Sequence, residues 1–194
     1  MAHRFVLHVI RHLPTAGNKG RKYIGWTDEP IIVTDLQGDL AATQVVGSDL
    51  LRARQTAALY FPTADYEADC RWRECNFGDF EGKTYADLEK DKDYRNWIDD
   101  PYAIAPRGGE SLVAVEQRVL SAFKQLSGGT VIVTHGGPIR VLLTKFSPEE
   151  KAFWSWDIPH GTGYRLEWQS EQAFKEGKQC VSLSAVPIMA NGTM

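Results

Sequence analysis

The tightest constraint on the fold is a five-residue run, Thr130-Val131-Ile132-Val133-Thr134, that ends in His135-Gly136-Gly137-Pro138. An unbroken β-branched stretch of this length makes a strand covered on both faces. The glycines and proline after it open a helix, predicted over Ile139–Phe146 with Pro138 at its first position. A buried strand that feeds a helix is the unit of a parallel sheet. The chain begins in the same way: Phe5-Val6-Leu7-His8-Val9-Ile10 runs straight into Arg11-His12.

The segments between repeat that alternation. Gly17, Gly20, Gly25 and Pro30 punctuate a long loop. A helix is expected over Asp35–Thr43, then a short strand at Val45-Val46-Gly47. Ser48 is read as the N-cap of a helix over Leu50–Tyr60, which stops before Pro62. Residues 62–110 are irregular and rich in aromatics, with one or two short helices expected, one near Tyr85–Lys90. Leu112, Val115, Val119, Phe123 and Leu126 recur at helical spacing and predict an amphipathic helix over 111–126, stopped by Gly128-Gly129. Tyr164–Trp168 and Cys180–Val186 read as two last strands. The pattern predicts one α/β domain over residues 1–194, three-layered, with a mostly parallel central sheet flanked by helices.

Composition narrows the function classes. A net charge of -3 argues against a dedicated nucleic-acid binder. No apolar run reaches the ~18 residues of a membrane span. Cys70, Cys75 and Cys180 form no CxxC pair, and an odd count suits free thiols in a reducing compartment. The apolar start is short and contains His8, unlike a signal peptide. A cytoplasmic protein is expected, with no nucleic-acid or membrane partner; oligomeric state has no signature in the sequence.

In open α/β sheets, ligands sit outside the carboxyl ends of the strands. His12 and His135 both fall there. A lone histidine is ordinarily a structural residue, but each of these stands beside anion-binding chemistry. Arg11 adjoins the first, and the second is followed by a helix N-terminus, whose free N–H groups favour phosphate. Arg52, early in the next helix, adds a guanidinium that matches phosphate oxygens two at a time.

These residues carry a resemblance. Arg11-His12-Leu13-Pro14-Thr15 with Asn18 resembles the Arg-His-Gly-x-Thr-x-x-Asn signature of the histidine phosphatase superfamily, the phosphoglycerate-mutase-like group. Gly25-Trp26-Thr27-Asp28-Glu29-Pro30 is similar to its Gly-x-x-Asp-x-Pro segment. Ser48-Asp49-Leu50-Leu51-Arg52-Ala53-Arg54-Gln55-Thr56-Ala57 is similar to its Ser-x-Leu-x-Arg-Ala-x-Gln-Thr-Ala. Arg73-Glu74-Cys75-Asn76-Phe77-Gly78-Asp79-Phe80-Glu81-Gly82 looks like the segment with the proton donor, in the style of small phosphatases such as α-ribazole phosphatase. Gly108-Gly109-Glu110-Ser111 and Val133-Thr134-His135-Gly136-Gly137 complete a match over residues 4–143. One position departs: Leu13 stands where a glycine lets backbone approach the phosphate.

The resemblance implies a phosphoglycerate-mutase-like fold and a metal-independent phosphatase without a cofactor, acting on a small phosphorylated metabolite. His12 would attack phosphorus and become a phosphohistidine, while Arg11, Arg52 and His135 hold the phosphoryl oxygens. Glu74 takes the proton-donor position, ahead of Asp79 and of Glu81, which is expected to organise the loop. Thr15, Asn18 and the Gly136 N–H are lesser candidates for the same pocket. Glu110 is placed in the first turn of the 111–126 helix. Lys19, Arg21 and Lys22 are read as a solvated loop, and His160 as a loop histidine with the pocket mouth as its alternative. Three rivals stand beside this reading. One is a cofactor-dependent phosphoglycerate mutase, and a second is an inactive phosphate-binding module, encouraged by Leu13. The third is a metal hydrolase using His8, His12 and His135, disfavoured by the neighbouring arginines and the lack of HxH or HExxH spacing.

Overall fold

In a computed structural model, which describes residues 3–32, 41–42 and 44–187, both histidine-ended strands lie side by side in the middle of one sheet. The elements in chain order are β1 (Phe5–Arg11), α1 (Ala16–Lys19), β2 (Val45–Gly47), α2 (Leu51–Tyr60), β3 (Tyr66–Ala68), α3 (Tyr85–Leu88) and α4 (Lys92–Asp99). They continue with α5 (Leu112–Phe123), β4 (Val131–Thr134), α6 (Gly136–Phe146), β5 (Thr162–Trp168), α7 (Glu171–Lys175) and β6 (Ser182–Pro187). The strands run in the order β3-β2-β4-β1-β5-β6. β3, β2, β4 and β1 are parallel, and β5 and β6 add an antiparallel edge. The architecture is the predicted α/β one, with a mixed sheet.

The period of two along each strand divides the core. Leu7, Val9, Val46 and Ile132 point to one side, where they pack with Val115 and Val119 of α5 and Ile139 and Leu142 of α6. Ile10, Val45, Val131 and Val133 point to the other, against Ala53, Ala57 and Tyr60 of α2. Two faces covered by helices explain why these strands read as continuous apolar runs. The aromatic middle of the chain makes a satellite core of its own, in which Phe80, Leu88, Tyr94 and Trp97 close on one another.

Several boundaries differ from expectation. Ser48 does not cap α2: its Oγ accepts from Leu50 N in a turn, and the helix starts at Leu51 with Leu50 at the cap position. α6 begins at Gly136 rather than Ile139, because His135 is extended and serves as N-cap, leaving Pro138 in the first turn. α5 is shorter than 111–126; Ser111 caps it through Ala114 N, and it ends at Phe123. Glu110 therefore precedes that helix instead of lying in its first turn. α4 is the second of the short helices expected within 62–110; β3, α1 and α7 are additions, and β6 begins at Ser182, not Cys180. The helix expected over Asp35–Thr43 lies outside the described residues apart from 41 and 42. Among the described residues no helix is long and apolar enough to cross a membrane.

Candidate active site

Strand register brings the two histidines together. Arg11 pairs with Thr134 in the parallel β1–β4 ladder, so the next residue of each strand, His12 and His135, leaves the sheet at the same level. Their ring centroids are 4.9 Å apart, edge to face. β2 lies on the far side of β4, and the loop after it leads into α2, which delivers Arg52. The loop after β3 delivers Glu74. Four adjacent carboxyl ends thus supply one site.

His12 is buried, and its Nδ1 lies 2.6 Å from the Leu13 carbonyl oxygen. A carbonyl only accepts, so Nδ1 carries the proton and Nε2 keeps a free lone pair. Burial, then the charge of Arg52, holds the His12 pKa well below its ordinary value, with His160 and Arg11 adding to the effect. His135 is shifted the same way, by burial first and then by Arg52, His12 and Arg11. Neither ring nitrogen of His135 has a hydrogen-bond partner. Both imidazoles are neutral at ordinary pH.

Arg52 is wholly buried in α2. Its Nη1 donates to Thr27 O (2.9 Å) and its Nη2 to Gly25 O (2.6 Å), while Nε has no partner. The carbonyls it meets belong to a loop organised by Glu81, whose carboxylate accepts from Gly25 N, Trp26 N, Thr27 Oγ1 and Phe77 N. Arg11 donates from Nη1 to Ile158 O and likewise leaves its Nε unpartnered. Among the described residues neither arginine forms a salt bridge. Burial pulls both their pKa values down, opposed mainly by the Glu74 carboxylate.

Glu74 reaches across to the start of α6. Its Oε1 accepts from Cys75 N (2.9 Å) and Gly137 N (3.1 Å), and its Oε2 from Gly137 N (3.0 Å). Position 137 must be glycine for this: a methyl group there would land on Oε1. Glu74 lies on a cavity of about 390 Å³ whose lining includes Arg11, His12, Asn18, Lys22, Tyr23, Trp97, Arg140 and Trp154. Asp79 is exposed in a 3-10 turn and Glu81 is engaged as above. Neither lines that cavity.

The lesser candidates divide. Thr15 and Asn18 form a capping box on α1, in which Thr15 Oγ1 accepts from Asn18 N and Asn18 Oδ1 from Thr15 N. Thr15 is wholly buried by this, whereas Asn18 also faces the cavity. Gly136 is the first residue of α6, packed beside the Arg11 and Arg140 guanidiniums. Leu13 does not obstruct the site: its side chain joins the core under α2, its N donates to Thr56 Oγ1 (2.9 Å), and its φ is not positive. His8 is half-buried within β1, and no cluster of three or more His, Cys, Asp or Glu side chains with metal-holding geometry occurs among the described residues.

One participant, Arg118, escaped the sequence reading, and His160, read there as a loop histidine with the pocket mouth as its alternative, lies against His12. His160 donates from Nδ1 to the His12 carbonyl (2.9 Å), with its ring 5.1 Å from that of His12. Arg118 donates to the carbonyls of Arg71 (2.8 Å), Arg73 (2.6 Å) and Glu74 (2.8 Å) while paired with Glu110 (2.8 Å), and so shapes the loop that carries Glu74.

Comparisons with known proteins identify the family and the fold. A family model described as histidine phosphatase superfamily (branch 1) matches residues 7–178. A 2,3-bisphosphoglycerate-dependent phosphoglycerate mutase of Xanthobacter autotrophicus is 30% identical over 176 residues, covering 74% of this chain and 83% of its own. A glucosyl-3-phosphoglycerate phosphatase of Mycobacterium tuberculosis is 31% identical over 162 residues, covering 70% and 72%. Among solved structures, a phosphoglycerate mutase of Thermus thermophilus superposes with a TM-score of 0.72 at 29% identity, covering 93% of this chain and 99% of that one. An Escherichia coli protein provisionally assigned as an α-ribazole-5'-P phosphatase shares the fold, with a TM-score of 0.78 at 23% identity over 98% and 99% of the two chains.

Proposed function

Because the chain belongs to the histidine phosphatase superfamily, branch 1, we propose that it hydrolyses a small phosphomonoester through a phosphohistidine on His12, with no metal ion in the reaction. The observation that carries this reading is a pair of guanidiniums, Arg52 wholly buried and Arg11 half-buried, that form no salt bridge among the described residues and stand beside an imidazole whose Nδ1–H is already committed. Buried charges call for a counter-charge, and a phosphoryl group supplies it at the place where Nε2 is free to attack.

In the first step the Nε2 lone pair forms a bond to phosphorus as the bond to the ester oxygen breaks. Glu74 gives that oxygen a proton. In the second step the Glu74 carboxylate takes a proton from water, the water oxygen attacks the phosphohistidine, and inorganic phosphate leaves. Arg11, Arg52 and His135 stabilise the oxygens throughout, which is most of what phosphoryl transfer asks of a protein. Glu74 is half-exposed on the cavity, which gives water a way in and favours hydrolysis over retention of the intermediate.

The relatedness to phosphoglycerate mutases keeps mutase activity as the second reading. A screen of phosphorylated metabolites in chelator, with His12→Ala alongside, separates the outcomes. The proposal expects phosphate release that persists in chelator, an alkali-stable and acid-labile label on His12, and neither in the variant. Interconversion of phosphoglycerates in the presence of the bisphosphate, without net phosphate release, establishes the mutase instead. Tight phosphate binding with no turnover identifies a binding module.

A further inference from the structure

Leu13, which stands where the family signature has glycine, fills a defined place in the fold. It is 4% exposed and packs with Ile10, Ala57, Tyr60 and Phe61. Its main chain is pegged to α2: Leu13 N donates to Thr56 Oγ1 (2.9 Å), and Thr56 Oγ1 donates to Arg52 O (2.7 Å). A buried side chain on a pegged main chain is a fixed surface for whatever rests on it.

The turn before β5 rests on it. A Cβ on Gly161 would lie 3.5 Å from Leu13 Cδ2 and 3.5 Å from Tyr60 Oη, an ordinary contact distance. Gly161 itself has φ +69°, which a side chain rarely adopts. Among the described residues, 157–161 make no main-chain-to-main-chain hydrogen bond. Side chains hold them instead: Arg11 Nη1 donates to Ile158 O, and Tyr164 Oη to Asp157 O (2.9 Å). The β1–β5 ladder ends at the Ile10–Gly163 rung. Beyond it His160 links the two sides, donating from Nδ1 to His12 O (2.9 Å). A turn without a ladder takes its position from packing, and Leu13 is part of its floor.

Resting on the reading of His12 as the nucleophile, we infer that Leu13 is a positioning residue that acts through His160. Its side chain fixes the His160–Gly161 turn, the turn sets the His160 ring on the His12 carbonyl, and that contact aligns the imidazole for attack. The leucine that replaces the signature glycine thus has a task of its own.

A double-mutant cycle on p-nitrophenyl phosphate tests this. Leu13→Ala should lower kcat by about three- to tenfold with little change in KM, the size of the one hydrogen bond it misaligns. Added to His160→Ala, the same substitution should change kcat by less than about twofold, because its route is already cut. Lost packing lowers the melting temperature in both backgrounds, so a merely structural role would not give this split. Leu13→Met keeps the volume and should keep kcat within about twofold. Should Leu13→Ala fail to fold, Leu13→Val, one methylene shorter, runs the same cycle. An unchanged kcat in the single variant, or a further loss beyond about twofold on the His160→Ala background, overturns the inference. Failure of the unaltered protein to release phosphate overturns the phosphatase reading instead. In that event imidazole NMR decides: the His160 Nδ1–H should exchange with water about tenfold faster in Leu13→Ala, and equal exchange overturns the positioning role.

Discussion

The two sides of the site are built by different means. The nucleophile side is made by the sheet. His12 N donates to Thr134 O (2.9 Å), Leu13 N to Thr56 Oγ1 (2.9 Å), and the carbonyls of both residues accept from imidazoles, His160 and His12 itself. Every polar main-chain atom of the His12–Leu13 pair is occupied, so the strand register dictates where the His12 Nε2 sits. The acid side has no such frame. Glu74 rides on an irregular loop after β3, held from below by the fork of Arg118 and from the front by the Gly137 N–H. One side is fixed by topology and the other by a few side chains, so damage to each should leave a different kinetic signature.

The largest effect tests the acid side. Glu74→Gln keeps the shape but has no proton to give, and loss of a general acid typically costs about 10²–10⁴ in rate. That loss should appear on alkyl phosphates and shrink on p-nitrophenyl phosphate, whose leaving group needs no proton. Equal loss on both would remove Glu74 from the donor role. Next comes the nucleophile side. If Arg52 holds the phosphoryl oxygens as proposed, Arg52→Gln should cost about 10²–10³ on every ester alike. Lysine should rescue poorly, because Thr27 O and Gly25 O are met by two separate Nη atoms. If the Arg52 loss followed leaving-group basicity, the two sides would not be independent.

Arg118→Ala weakens the support of the acid without touching substrate. Its side chain is 16% exposed and paired with Glu110 at 18%. Breaking such a pair costs about 3 kcal/mol, the low end for buried pairs because this one is partly wet. A shifted denaturation midpoint, together with a milder copy of the Glu74→Gln leaving-group pattern, is the expected outcome. Loss of stability with no change in that pattern would mean that Gly137 alone positions the acid.

Acid is a gentler probe of the nucleophile side. Burial and Arg52 hold His12 and His135 well below 6.5, and burial with Arg11 brings His160 to about 4. In the unfolded chain all three return to about 6.5. Below that pH the unfolded state binds more protons than the fold, so stability declines as pH falls from 6.5 towards the folded values. Above 6.5 this contribution is complete and flat. Each histidine adds up to about 1.4 kcal/mol per pH unit to the slope. Catalysis should behave differently, because the nucleophile stays unprotonated. Corrected for the ester's own second ionisation near about 6, kcat/KM should hold from pH 7 to pH 5.5 while the melting temperature falls. An acid limb at 6.5 would show that His12 is not shielded.

The same division explains what could be read from the sequence. Strand ends were legible because β-branched runs are hard to place elsewhere, and parallel register then brings His12 and His135 together without further information. Arg52 and Glu74 were found by motif. The supports were not legible. Arg118 sits in an amphipathic helix where an arginine ordinarily faces water, and nothing local shows that it reaches carbonyls 44 to 47 residues away. His160 meets a carbonyl 148 positions distant. A local signal also misled: Ser48 looked like a cap but closes a turn.

The smallest effect sharpens the comparison most. If register alone positions the nucleophile, the His160 contact to the His12 carbonyl is dispensable. If that contact matters, the sheet needs help from the β5 side. His160→Ala removes one hydrogen bond, about 0.5–1.5 kcal/mol, and should lower kcat by up to about tenfold with little change in KM. His160→Asn offers an amide N–H near the place of Nδ1 and should restore most of the loss, which a purely packing role would not allow. Activity equal to the unaltered protein in both variants would leave strand register as the sole support of His12. Loss in both would assign His160 a task that depends on its free Nε2.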